Sequence, residues 1–489
     1  MRLEPIGTIT NYFPFLEEET IDVLKAIMEK ASDYYDFVVR LGNKACDEDV
    51  SIELAYIAAL HVYRADEWSL QDRLREKFTD TPEVLVWTFS YLIPDTPLNR
   101  DKVSEVLSRA IEKNPPDWML MDLYYNIGGW LYNNQSELSE LVNTLASILN
   151  NNPNLACFES YLSNIQSWIH YLEGDGVLSF LVKQRALELA KKVDDFFSVI
   201  SRTGDLAHML KDHNALDALE FAEEYNRLGM LSGLPRKMET ARHVMGLIHA
   251  VRGEYDMAVE CQVAAYEVCY HDKGPTSNRC AIASLFSSDI EDGRQALHWA
   301  NESFRTAGGK GDALMHYAML RALLLLGRLE DTDHHLDKLH KLSLTSANEP
   351  DQAQFLYGRG LYELKSGNPR AAIESLEQAL SINEQLNSQI GINRCLIALT
   401  EAEIQIAGES GEEDTSGPWM VRLESHARKK DYPGIQMHAA LLRAEFLVKQ
   451  GRKEKAHEVL QDALDILDSS TVKTLRTRIQ KMLDDLIIA

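Results

Sequence analysis

The sequence predicts an all-α protein, an α-solenoid of antiparallel helix pairs, on three observations. Strand signals are nearly absent, whereas apolar residues recur at helical spacing from about residue 18 onward, behind acidic starts and ahead of Lys, Arg or Gly ends. In the C-terminal half a phrase recurs: a small residue, Gly seven positions on, Ala five after that, then usually an apolar residue and another Ala. Third, 489 residues exceed what one ordinary core serves, but a quasi-one-dimensional stack buries its apolar faces locally between neighbours.

Residues 1–17 are a lead-in. Asn11-Tyr12-Phe13-Pro14-Phe15-Leu16 within them is apolar and non-helical by pattern, and either staples the first helix pair, covering a solenoid end, or marks a docking segment. Residues 18–235 divide into degenerate pairs: 18–30 with 32–42, 49–64 with 70–78, 82–92 with 101–113, 118–132 with 136–149, 155–172 with 177–191, and 193–211 with 214–228. Thr81-Pro82 starts a helix with a capping hydroxyl and Pro at its first position, and Asn114-Pro115-Pro116-Asp117 stops one helix and starts the next. Leu234-Pro235, after Gly229 and Gly233, marks a sub-boundary.

From 236 to 470 the repeats become regular. The phrase reads Gly246, Gly253, Ala258, Ala265; then Gly360, Gly367, Ala372, Leu376, Ala379; then Ala444, Gly451, Ala456, Leu460, Ala463; a fainter copy is Leu320, Gly327, Thr332, Leu336, Leu339. The small residues let antiparallel helices approach, and Gly supplies the left-handed conformation that ends the first helix. Degenerate copies around Ala296 and Ala300, and at 392–406 with 419–429, bring the period to 37 to 42 residues. An acidic, turn-rich stretch at 408–418 projects as a loop, and 471–489 forms a closing cap helix.

Lys and Arg total 50 against 75 Asp and Glu, a formal charge of −25 whose field repels a phosphate backbone. Nucleic acid is therefore excluded as a general partner, and a protein or peptide of basic or mixed charge is favoured. Residues 421–489 alone are mildly basic, which helix-end cations explain. Cys46, Cys157, Cys261, Cys269, Cys280 and Cys395 show no metal-ligand spacing and read as buried hydrophobes in a reducing compartment. The first residues lack the basic start and apolar run of a signal peptide, and no stretch is long enough to span a membrane, so a cytoplasmic location without membrane contact is expected.

The segments YGRGLYELKSGNPRAAIESLEQALSI (357–382), LLRAEFLVKQGRKEKAHEVLQDALDI (441–466) and MGLIHAVRGEYDMAVECQVAAYEV (245–268) resemble tetratricopeptide repeats, and SRAIEKNPPD (108–117) looks like the end of another. The resemblance covers about half the chain. Its period is longer than the standard 34 residues and is similar to that of kinesin light chains and of peptide-sensing bacterial regulators; the general character resembles soluble archaeal tetratricopeptide proteins. The resemblance implies a right-handed superhelix whose first helices line a concave peptide-binding groove. On that mapping the groove displays His243, Leu247, Tyr317, Arg321, Tyr357, Leu361, Lys365, His438 and Glu445. A chaperone-type carboxylate clamp needs Asn where Leu247, Leu361 and Glu445 stand, so that use is not implied.

Elsewhere chemistry is sparse. Asp331, Asp333, His334, His335, Asp337 and His340 are dense in ligand-type groups, and Asp331 with His335 at i, i+4 is the pair that a metal would use, but no H-E-x-x-H spacing exists and the run reads as a solvated helix face. Gly308-Gly309-Lys310-Gly311-Asp312 lacks the Walker spacing and reads as a loop ending in a helix cap. Trp68, Trp87, Trp118, Trp130 and Trp168, with Tyr34, Tyr35, Tyr124, Tyr125 and Tyr132, read as filling for irregular helix pairs, the alternative being an N-terminal groove. No catalytic residue, cofactor or metal site is assigned. The expectation is a non-enzymatic scaffold or adaptor that binds protein or peptide. The rival readings are a ligand- or peptide-sensing regulator and an enzyme with its site in the N-terminal half. Pairing of terminal stacking faces leaves a homo-oligomer open.

Overall fold

The computed structural model describes residues 4–65, 67–78, 116–130, 135–269, 275–345, 349–410, 417–465 and 472–488. All regular structure among them is helical. The expected pair 82–92 with 101–113, its Thr81-Pro82 start, Trp87 and most of 108–117 lie outside the described residues, as do 411–416 of the acidic stretch. The chain divides into two compact units, Met1–Leu206 with Glu224–Met238, and Ala207–Glu223 with Glu239–Ala489.

The first unit carries α1 (Glu18–Met28), α2 (Tyr34–Asp47), α3 (Ile52–Arg64), α4 (Trp68–Phe78), α5 (Asp117–Trp130), α6 (Gln135–Asn151), α7 (Glu159–Leu172) and α8 (Gly176–Lys192); α9 (Phe196–Leu210) and α10 (Ala215–Ser232) continue the chain. Side-chain caps start several of these helices: Asp33, Ser51 and Asp175 accept from the backbone N–H three residues on, at 2.8, 3.2 and 2.9 Å. The lead-in corrects the expectation. Gly7–Phe15 is a 3-10 helix, and it reaches far beyond the first pair: Phe196 N donates to Thr8 Oγ1 (3.1 Å) and Asn11 Nδ2 to the Val193 carbonyl (2.9 Å). Tyr12 sits 3% exposed among His61, Trp118 and Phe158, with ring centroids 6.1–6.4 Å away, so these aromatics are core. Tyr35 stays on the surface.

The second unit follows with α11 (Pro235–Arg252), α12 (Tyr255–Cys269), α13 (Pro275–Asp289), α14 (Gly293–Thr306), α15 (Ala313–Leu325), α16 (Leu329–Thr345), α17 (Glu349–Lys365), α18 (Pro369–Gln385), α19 (Gln389–Ser410), α20 (Pro418–Lys430), α21 (Pro433–Lys449), α22 (Lys453–Leu464) and α23 (Lys473–Ile488). From α12 onward each helix packs on the next, and α13, α15, α17, α19, α21 and α23 also pack on one another. This is the two-layer arrangement of a tetratricopeptide-like α-solenoid, with the odd-numbered helices forming one continuous layer.

The recurring phrase explains it. Gly253, Gly327, Gly367 and Gly451 all have φ between 69° and 81°, ending the first helix of a pair in the left-handed conformation. A Cβ on Gly360 would meet Leu376 at 2.6 Å across the pair, and one on Gly358 would meet Leu320 of α15 at 2.6 Å. Two glycines on α17 thus bring it against both layers. Ala372, Leu376 and Ala379 are fully buried between them. Asp312 caps α15 as expected, its Oδ1 accepting from Met315 N at 2.9 Å.

Candidate functional site

The odd-numbered layer of the second unit is wound tightly enough that residues distant in sequence meet. Asn393 Nδ2 donates to the Val251 carbonyl at 2.9 Å, 142 residues away. The α11–α12 turn at Gly253 lies directly on the backbone of Gly434 and Ile435 at the start of α21. Thr474 of α23 donates to Asp256 through both its backbone N–H (3.1 Å) and its hydroxyl (2.6 Å).

The densest of these contacts involves expected groove residues. Asp289, the last residue of α13, accepts from Arg321 Nη2 of α15 at 2.8 Å and is gripped by Arg394 of α19, Nη2 at 2.5 Å and Nε at 3.1 Å from each oxygen. Arg321 in turn lies 5.9 and 5.7 Å from the ring centroids of Tyr317 and Tyr357. Burial alone would raise the Asp289 carboxyl, but the two guanidinium groups outweigh it and hold it below the usual range. Tyr317, Arg321 and Tyr357 are 4%, 7% and 6% exposed. They are thus largely buried against one another, with Asp289 bridging Arg321 and Arg394.

Beside this cluster lies a cavity of about 430 Å³, walled by α15, α17 and α19 and lined by Tyr317, Tyr357, Gln354, Leu386 and Arg394, with the Lys211–Asp212 ion pair contributing a polar edge. Asn383 and Gly391 touch along its wall so closely that a Cβ on Gly391 has no room beside the amide. Gln354 Oε1 is buried with no hydrogen-bond partner. Cys395 also lines the cavity, its thiol pushed up to about 12 by burial.

Other expected residues go elsewhere. His438 is 7% exposed, and burial and the charge of Arg478 push its imidazole down to about 4. Half-buried Glu445 and exposed Lys365 lie around Glu401, which feels the charges of Glu291, Lys365, Glu445 and Arg478. His243 is set apart, its Nδ1 3.1 Å from Gln262 Oε1, with the imidazole lowered to about 3 chiefly by burial. On α16 the solvated face holds for Asp331 and His334, whereas His335 turns inward, Nδ1 3.0 Å from His316 Nδ1. Among the described residues no group of three or more His, Cys, Asp or Glu is arranged to hold a metal ion, and no helix is long and apolar enough to cross a membrane.

Glu401 supplies a pH prediction. Burial, reinforced by Glu291 and Glu445 against Lys365 and Arg478, raises its carboxyl from 4.5 to about 7. The folded state then binds the proton more tightly than the unfolded chain, so this group's contribution to stability falls as pH rises from 4.5 to 7. Glu401→Gln is expected to leave stability at pH 4.5 nearly unchanged and to raise it at pH 8 by about 1–2 kcal/mol. Urea titrations at the two pH values measure this, and an equal effect at both would contradict the burial argument.

Asp289, Arg394 and Gln354 escaped the sequence reading. Arg394 carried a signal: a guanidinium inside the apolar run Ile390–Leu399 requires a buried anion.

No protein-family model matches the chain, and no curated protein matches it significantly. Among solved structures, it is similar to a Rap protein complexed with Competence and Sporulation Factor, at 12% identity and a TM-score of 0.41, over 76% of this chain and 98% of that one. It is also similar to yeast Tom70, at 10% identity and a TM-score of 0.32, over 96% of this chain and 95% of that one.

Proposed function

We propose that this tetratricopeptide-like helical-repeat protein is a non-enzymatic binding protein that recognises a protein or peptide partner through the second unit. The partner places an end or a side chain in the cavity between α15, α17 and α19. The observation that carries this reading is the packing within the odd-numbered layer: Arg321 is committed to Asp289 and to the rings of Tyr317 and Tyr357, and Arg394 to Asp289, so these side chains are not laid open to a long extended segment. A cavity of about 430 Å³ remains, within the ~300–1,000 Å³ typical of ligand pockets.

The lining favours binding over catalysis. Arg394 is held charged, Tyr317 and Tyr357 are raised by burial, and a thiol at about 12 is no nucleophile near neutral pH. Because three odd-numbered helices wall the cavity, an occupant also bears on the contacts that hold the layer closed. That supports a sensing role over a passive scaffold.

Leu386 is 37% exposed and lines the cavity, so Leu386→Trp fills it with little disturbance to the core. In affinity capture with the full chain, this variant is expected to keep the wild-type melting temperature and to lose the proteins or peptides that the wild type retains. Undiminished capture by Leu386→Trp would refute the cavity as the recognition site.

A further inference from the structure

We infer that the occupant of this cavity carries a carboxylate, placed against Arg394 with an apolar or aromatic group on Tyr317 and Tyr357; the inference rests on the reading of the cavity as a binding site. Two guanidinium groups, Arg321 and Arg394, share one carboxylate, Asp289, and the three side chains are 8%, 10% and 4% exposed. One positive charge is left over in an interior where an uncompensated charge is costly. Among the described residues, the ion pairs and hydrogen bonds of these two guanidiniums reach no carboxylate besides Asp289.

Geometry says where the compensating anion goes. Arg321 is enclosed: Nη2 is spent on Asp289, Nη1 points at the Leu285 carbonyl at 3.5 Å, and two tyrosine rings flank it. Arg394 spends Nε and Nη2 on Asp289, lines the cavity, and keeps Nη1 free of any protein partner among the described residues. That nitrogen carries two N–H donors, and a guanidinium already fixed by a bidentate contact presents them with little further loss of entropy. An entering carboxylate therefore meets a charge-assisted, pre-oriented donor.

The other walls define the remainder of the ligand. Leu285, Leu314, Leu386 and Ile390 with the two tyrosines form an apolar surface, and the unpartnered Gln354 Oε1 asks for an N–H donor. A carboxylate, an adjacent N–H and an apolar side chain are the parts of an N-acylated amino acid and equally of the last residue of a peptide.

The test uses the full chain and four probes, followed by isothermal titration calorimetry. N-acetyl-phenylalanine and its amide are matched in shape and differ in the charge and in one acceptor oxygen; tetra-alanyl-phenylalanine with a free terminus and its C-terminal amide repeat the comparison in a peptide. Each acid is expected to bind at least about tenfold more tightly than its amide, the range of one charge-assisted hydrogen bond, and Leu386→Trp is expected to abolish both. Tighter binding of the pentapeptide than of the acylated amino acid assigns the carboxylate to a peptide terminus, and equal binding assigns it to a small acid. Equal affinity for acid and amide, lost in Leu386→Trp, would overturn the carboxylate inference while leaving the cavity as a site. No binding of any probe by the wild type would overturn the inference as well, and binding that persists in Leu386→Trp would overturn the cavity itself. Because Arg394→Lys keeps the charge but loses the fork that grips Asp289, its acid-over-amide preference is expected to shrink, and an unchanged preference would remove Arg394 from the contact.

Discussion

Asp289→Asn is expected to destabilise the second unit by about 3–5 kcal/mol, the range for removing one partner of a buried ion pair. The substitution keeps the shape but replaces one acceptor oxygen with a donor, and it strips the anion from between Arg321 and Arg394, all three groups being nearly buried. Two guanidiniums then face each other across an amide in a poorly solvated interior, and the amide nitrogen competes with them as a donor. Urea unfolding followed by circular dichroism reads the loss. Adding Arg321→Gln to Asp289→Asn is expected to recover part of it, since one fewer cation remains unpaired. A loss below about 1 kcal/mol for Asp289→Asn would mean that water reaches the cluster and that the charge argument fails.

Gly434→Ala is expected to cost about 2–3 kcal/mol by forcing apart the two backbones it separates. A Cβ at this position would fall on the Gly253 carbonyl, and backbone cannot swing aside as a flexible side chain does. Gly451→Ala provides the comparison. Its φ of 75° makes any side chain strained, but nothing lies within 4 Å of the new atom, so only the left-handed penalty of about 1–2 kcal/mol applies. Hydrogen exchange separates the two. Gly434→Ala is expected to speed exchange around both 251–255 and 433–436, regions that meet only in three dimensions, whereas Gly451→Ala acts on its own turn. Protection at 251–255 that matched the wild type in Gly434→Ala would show that the contact contributes nothing to local stability.

These two substitutions mark the limit of what the sequence discloses. Gly246, Gly360 and Gly367 were legible because their roles are local: each acts on a helix or turn within about twenty residues. Turns that use other residues were not legible. Glu291 adopts φ of 60° between α13 and α14, where the phrase would place glycine, which hides the repeat in that degenerate copy. The lead-in departs from its pattern because Pro14 argues against an α-helix, while the short 3-10 helix accommodates it.

The expected groove residues illustrate the same limit. The tetratricopeptide resemblance implied one face for Tyr317, Arg321 and Tyr357, and the three side chains lie together. Whether such a face is open or closed depends on the small rotation between successive pairs, summed over several of them. No local pattern carries that sum, and Asp289 finds Arg394 only after 105 residues of it.

The same closure governs how far the second unit can change its length. Where each hairpin touches only its neighbours, a hairpin can be inserted or removed with the rest undisturbed. Here Asp289 to Arg394, Val251 to Asn393 and Asp256 to Thr474 are rivets across successive coils. One extra hairpin between the partners would carry these rivets out of register, so this stretch of chain is bound to a fixed number of hairpins.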